Sequence, residues 1–182
     1  MIEIIKNYKP QNQFEEKDKN YMINAYDIFG DKLFYRHPFF HFSASGVVFN
    51  KTKTKVLFIY HKIYDSWGWM GGHMDGDFDF KKVALKEIKE ESGIEDISFF
   101  TESPISIEVL PVWMHIKNDE ALSSHLHLNV SYAFIADEEN TLKVNHIETN
   151  GVKWINIDDL DEVVREEEMK PIYRKIIKRV IG

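Results

Sequence analysis

Residues Gly71–Ile94 read GGHMDGDFDFKKVALKEIKEESGI, a glycine pair and three aspartates followed by a helix-like run with three glutamates. Asp79 suits a helix N-cap and Gly93 the residue just past a helix end, so the stretch predicts a loop from Gly71 and a helix from about Asp79 to Gly93. At roughly 100° per residue, with Glu87 set at zero, Glu91 falls at about 40° and Glu90 at about 300°. Val83, Phe80, Ala84 and Ile88 occupy the same side, while Lys82, Lys86 and Lys89 gather on the opposite one. Glu87 and Glu91 therefore lie inside the apolar stripe, with Glu90 at its edge.

A run such as KEIKEES is ordinarily a solvated charged face. Here the lysines mark the solvent side and the glutamates do not. Carboxylates crowded together and partly desolvated must protonate or bind cations. Converging carboxylate oxygens suit a hard ion such as magnesium or manganese. The glycine-rich loop before the helix leaves its backbone open to close approach.

Working outward, residues 11–29 carry apolar positions at helical spacing, and Gly30 is a stop. HFSASGVVFN (41–50) and KVLFIY (55–60) read as strands joined by a hairpin loop. ISFF, ISIEVLPVWMHI and HLHLNVSYAFIA are rich in β-branched and aromatic residues, with Pro111 marking an edge, bulge or break. GVKWINI predicts a last strand. A helical tail runs from Asp158, and Pro171 starts a separate final helix. This order predicts a mixed α/β domain with helices on both faces of a sheet.

The 182 residues suit one domain with a sizeable core. A net charge of -7 argues against binding to bulk nucleic acid, and no window is apolar enough for a membrane span. With no cysteine, disulfides, thiolate zinc sites and cysteine nucleophiles are excluded. The first residues lack the pattern of a signal peptide, so a cytoplasmic location is expected.

The central stretch resembles the Nudix box. That pattern has glycine, five residues, glutamate, seven residues, then Arg-Glu, an apolar residue, any residue, Glu-Glu, any residue, glycine and an apolar residue. Gly72, Glu87, Ile88, Glu90, Glu91, Gly93 and Ile94 match at the correct spacing, whereas Phe78 stands at the first glutamate and Lys86 at the arginine. SWGWMGG resembles the usual approach to the box, with Met70 in place of proline, and GVKWINIDDL resembles a late strand-to-helix segment. The likeness reaches from about residue 41 to 165.

The resemblance implies an α/β/α sandwich with a mixed central sheet. Residues 1–40 would form a helical N-terminal extension packed on a domain spanning 41–182. It further implies hydrolysis of the diphosphate linkage in a nucleoside diphosphate derivative, for example a nucleotide sugar such as ADP-ribose. Magnesium, with manganese as the alternative, would be held by Glu87, Glu90, Glu91 and the carbonyl of Gly71. Glu148 is the first candidate for an additional metal ligand or catalytic base, with Glu138 and Glu139 as alternatives. Phe78 and Lys86 replace both members of a supporting pair, so Asp77 or Asp79 is expected to partner Lys86.

His125 and His127 flank Leu126 and face one side of a strand. Two histidines without a third ligand more often mark a polar strand end than a metal site. His73, Arg36, Trp67 and His127 are the candidate substrate contacts, with Tyr64, Trp69, Phe39, Phe40 and Trp113 as a further aromatic supply. The expected partner is a small nucleotide, and a homodimer accords with the resemblance. The competing reading is a nucleotide-binding sensor that has lost catalysis, favoured by Phe78, Lys86 and Met70.

Overall fold

A computed structural model describes residues 2–117, 120–146 and 149–182. The chain begins with helix α1 (Ile2–Asn7) and the longer α2 (Gln13–Phe29). Asn12 caps α2 by accepting from the N–H groups of Phe14 and Glu15, and Gly30 ends it. Strands β1 (Phe40–Asn50) and β2 (Lys55–His61) follow, then β3 (Ser66–Gly68) and β4 (Met70–His73). Helix α3 (Phe80–Ser92) leads to β5 (Ile97–Phe99), β6 (Ser106–Val112), β7 (His115–Lys117), β8 (Glu120–Leu122) and β9 (His125–Ala136). Strand β10 (Thr149–Asn156), the one-turn α4 (Leu160–Val163) and α5 (Lys170–Ile181) complete the order.

The main sheet runs β10-β2-β1-β9-β5, with β3 on β2, β4 on β1 and β6 on β9; β7 and β8 pair separately. β1 and β9 pair in parallel from Phe40↔Leu126 to Asn50↔Ala136, while the other pairings among the described residues are antiparallel. Ten of the eleven β1 residues are buried, as a central strand requires.

Alternation along β1 separates two layers. Phe42, Ala44 and Val48 face a core shared with Phe80, Val83 and Ile88 of α3 and with Ile5 and Met22 of α1 and α2. Val47 and Phe49 face the second core, closed by Tyr173, Ile176 and Val180 of α5. The result is the expected α/β/α sandwich with a mixed sheet. Among the described residues no helix is long and apolar enough to cross a membrane.

One local reading needs correction. SWGWMGG and the loop expected from Gly71 are two short strands, because pairing with β2 and β1 outweighs the poor strand propensity of glycine. Of the alternatives expected at Pro111, the edge holds: β6 carries it opposite Leu126 on the outside of the sheet, where a missing N–H costs no ladder bond. The helical tail is two helices as expected: it stops after Val163 and resumes at Lys170, with Pro171 in the first turn of α5.

Candidate functional site

Helix α3 is phased by its two ends and its apolar stripe. Lys81 and Lys82 donate their N–H groups to Asp79 Oδ1 at 3.0 and 3.3 Å. Gly93 closes the helix at φ +71°, a left-handed conformation that favours glycine. This phase buries Glu91 to 4% exposure, leaves the Glu87 side chain at 13% and sets Glu90 at 53%. Glu91 Oε2 accepts from the N–H of Gly71 at 3.1 Å. A Cβ added at Gly72 would stand 2.5 Å from Glu87 Cδ, so the absent side chain is what lets the carboxylate approach the β4 backbone.

Lys86 departs from the expected pairing. Its Nζ lies 3.3 Å from Glu87 Oε1 and 3.2 Å from Glu90 Oε2. Asp77 instead pairs with Lys82 at 2.6 Å, and Asp79 is engaged as the cap. The reason is position: both aspartates precede the helix, whereas Lys86 and Glu90 stand one turn apart on its surface. Phe78 packs against Phe34 with ring centroids 4.7 Å apart. The first box position is thus apolar packing here, and Lys86 neutralises the carboxylates directly. All three glutamates offer hard oxygen donors, and the space at Gly72 admits one of them to the backbone. This donor set fits magnesium or manganese.

The opposite face of the same strands carries a second cluster. His41 pairs in register with His127, and Ser43 with both His73 and Asn129. Side chains alternate, so His41, His73, His125 and His127 project from the face away from α3. One ring nitrogen of each lies within 4.8 Å of the others, and His73 Nε2 is 3.1 Å from His127 Nε2. Burial, reinforced by the neighbouring imidazoles, pushes His127 down to about 2, and burial also lowers His41.

Beyond the histidines a buried polar seam crosses the sheet. Ser43 and Ser45 donate to Asn129 Oδ1, Asn129 Nδ2 donates to Ser131 Oγ, and Ser131 Oγ donates to Glu108. Lys175 of α5 joins Glu108 at 2.8 Å and Glu15 of α2 at 2.9 Å, and Arg179 meets Glu15 at 2.6 Å.

The structure brings His73 and His127 together, sets Arg36 close enough for its charge to act on His41 and His127, and places Trp67 elsewhere. Arg36 forms a double hydrogen bond with Asp75, both at 2.7 Å, on the turn closed by Asp77 N–H donating to Met74 O. Trp67 packs at the far edge of the sheet, with Tyr60 at 5.3 Å and Lys153 Nζ over its ring at 4.3 Å. Trp69 is buried against Tyr173. Exposed Phe39 and Trp113 line a groove of about 270 Å³ that also includes His125. Glu148 lies outside the described residues, and Glu138 pairs with Lys55 at 2.6 Å. Sequence reasoning missed His41. Its only signal is a histidine opening a strand, and the parallel pairing that sets it beside His127 is not local.

Comparison with known proteins adds to this geometry. The sequence model of the NUDIX domain matches residues 40–180. No curated protein matches the chain. An Ap4A hydrolase from C. elegans, solved as a binary complex, superposes with a TM-score of 0.57 at 19% identity, covering 78% of this chain and 98% of its own. The NUDIX domain of NrtR from Shewanella oneidensis, solved with ADP ribose, gives 0.56 at 14% identity, covering 86% and 97%. A NUDIX hydrolase from Listeria monocytogenes gives 0.55 at 15% identity, covering 77% and 94%. At these identities the structural likeness speaks for the fold.

Proposed function

This chain belongs to the NUDIX domain family, and from that premise we propose a divalent-cation-dependent pyrophosphohydrolase that cleaves the diphosphate linkage of a nucleoside diphosphate derivative. The observation that carries the reading is the placement of Glu87 beneath Gly72 and of Glu91 on the Gly71 N–H. Together with Glu90 they would hold the cation, which when bound acidifies water and offsets the charge of phosphate oxygens. The chain's own contribution is positioning. The two helix ends fix the phase of the carboxylates, and burial of Glu91 keeps its orientation from drifting.

Lys86 holds Glu87 and Glu90 apart from bulk solvent cations by supplying a positive charge of its own. Exposed Phe39 and Trp113 offer faces on which a nucleobase can stack. The neighbour solved with ADP ribose and the neighbour named as an Ap4A hydrolase support a nucleotide ligand class for this fold. A nucleotide-binding module without turnover is the second reading, favoured by the occupation of two carboxylates by Lys86.

A panel of nucleoside diphosphate derivatives, assayed with magnesium and manganese, tests the proposal when run on the wild type, Glu90→Gln and Glu91→Gln. Turnover by the wild type and its loss in both folded variants is the expected result. Wild-type rates in both variants would remove the carboxylate assignment. Tight nucleotide binding with no product at saturating metal would decide for the binding module.

A further inference from the structure

We propose that His41, His73, His125 and His127 form a second metal site, for a zinc-class transition ion, separate from the carboxylates of α3. Three strands supply it: β1 gives His41, β4 gives His73, and β9 gives His125 and His127. Their register places all four rings on one face, whereas Gly72 and Glu87 meet on the other. The site does not depend on the hydrolase reading.

The hydrogen bonds around the cluster prepare its nitrogens for a cation. His41 Nδ1 donates to the carbonyl of His37 at 2.9 Å, and His125 Nδ1 donates to the carbonyl of Ser123 at 2.9 Å. Each bond fixes the proton on Nδ1 and leaves the Nε2 lone pair for a ligand, the arrangement seen in metal-binding histidines. His41 is 5% exposed, and its Nε2 has no hydrogen-bond partner among the described residues. A buried acceptor left in that state is costly, and a metal ion removes the cost.

The distances agree with a tetrahedral ion. Zinc–nitrogen bonds of about 2.0–2.1 Å place tetrahedral ligands roughly 3.3 Å apart, close to the 3.1 Å between His73 Nε2 and His127 Nε2. The widest pair, within 4.8 Å, closes by small ring rotations. Four neutral imidazoles select zinc, copper or nickel over magnesium and calcium, which prefer oxygen. With four protein ligands the site is closed, so its role is to clamp β4 to β1 and β9.

The test uses the untagged full chain and zinc or cobalt alone. One zinc per chain is expected, with a Kd below about 1 µM in competition with a chromogenic chelator. Cobalt should give the visible absorption of a tetrahedral site, and zinc should raise the melting temperature. His125→Ala and His127→Gln should each weaken zinc at least tenfold, while Glu90→Gln and Glu91→Gln leave it within twofold. Should a histidine variant fail to fold, the wild-type cobalt spectrum and the glutamate variants still decide. Wild-type zinc affinity weaker than 10 µM, unchanged affinity in a folded His125→Ala, or loss of zinc in the glutamate variants would overturn the assignment.

Discussion

Gly72 and Glu87 are in a relation of exclusion: the carboxylate occupies the space that a side chain on residue 72 would need, 2.5 Å from Cδ. The obstructing atoms are the far end of a flexible side chain, and Gly72 does not adopt a left-handed conformation. Gly72→Ala should therefore leave the fold within about 1 kcal/mol of wild type while displacing Glu87. Misplacement of a catalytic group by about 1 Å costs on the order of 100-fold in rate. Thermal melts paired with kcat measure the two effects. A variant with wild-type kcat would show that Glu87 need not lie against the strand.

Lys86 competes with any cation for Glu87 and Glu90. Lys86→Ala should lower the magnesium concentration for half-maximal activity by about two- to fivefold at low salt, with the gain shrinking as ionic strength rises. Magnesium titrations of activity at two salt concentrations check this. An increased magnesium requirement would mean that Lys86 supports the carboxylates instead of opposing the metal.

Glu15 links acid stability to the polar seam. Burial alone would push its carboxyl up, but Arg179, the Gln11 N–H and Lys175 pull it down to about 2 from 4.5. A depressed carboxylate stabilises the fold above its unfolded value, and that stability is lost as pH falls. The loss here spans pH 4.5 to about 2 and amounts to roughly 3 kcal/mol. Chemical denaturation of wild type and Glu15→Gln across this window should show the wild type converging on the variant. A constant difference between them would place the acid sensitivity elsewhere.

Tyr132 is fully buried, and its hydroxyl has no hydrogen-bond partner among the described residues. Removing an unsatisfied buried polar group while keeping the ring should be neutral or stabilising by about 1 kcal/mol. Urea unfolding of Tyr132→Phe measures it. Destabilisation beyond about 1 kcal/mol would reveal a partner for the hydroxyl.

What the sequence disclosed follows from distance along the chain. The caps and apolar stripe of α3 lie within fifteen residues, so the depths of Glu87, Glu90 and Glu91 were legible from the wheel. The partner of Lys86 was misread because two carboxylates on its own helix lay closer than the aspartates before it. β4 was hidden because its residues are extended only through pairing with β1. The histidine quartet was hidden for the same reason. His125 and His127 were visible as a pair, and His73 as a loop residue, but His41 joins them only through the parallel ladder.

That ladder also sets a timetable. Ser43 and Asn129 are 86 positions apart in the chain, and closing a loop of that length costs about 4 kcal/mol of chain entropy before any contact rewards it. The neighbouring β1–β2 hairpin, with Val48 opposite Leu57, closes over a far shorter loop. Hairpin formation should thus precede the central pairing, and refolding should be slow for the chain's size, on a scale of milliseconds to seconds. Stopped-flow refolding of Asn129→Ala would expose this order through the folding limb if the ladder forms in the transition state. The polar seam and the four imidazoles have no existence in the unfolded chain; they appear only when this long closure is complete.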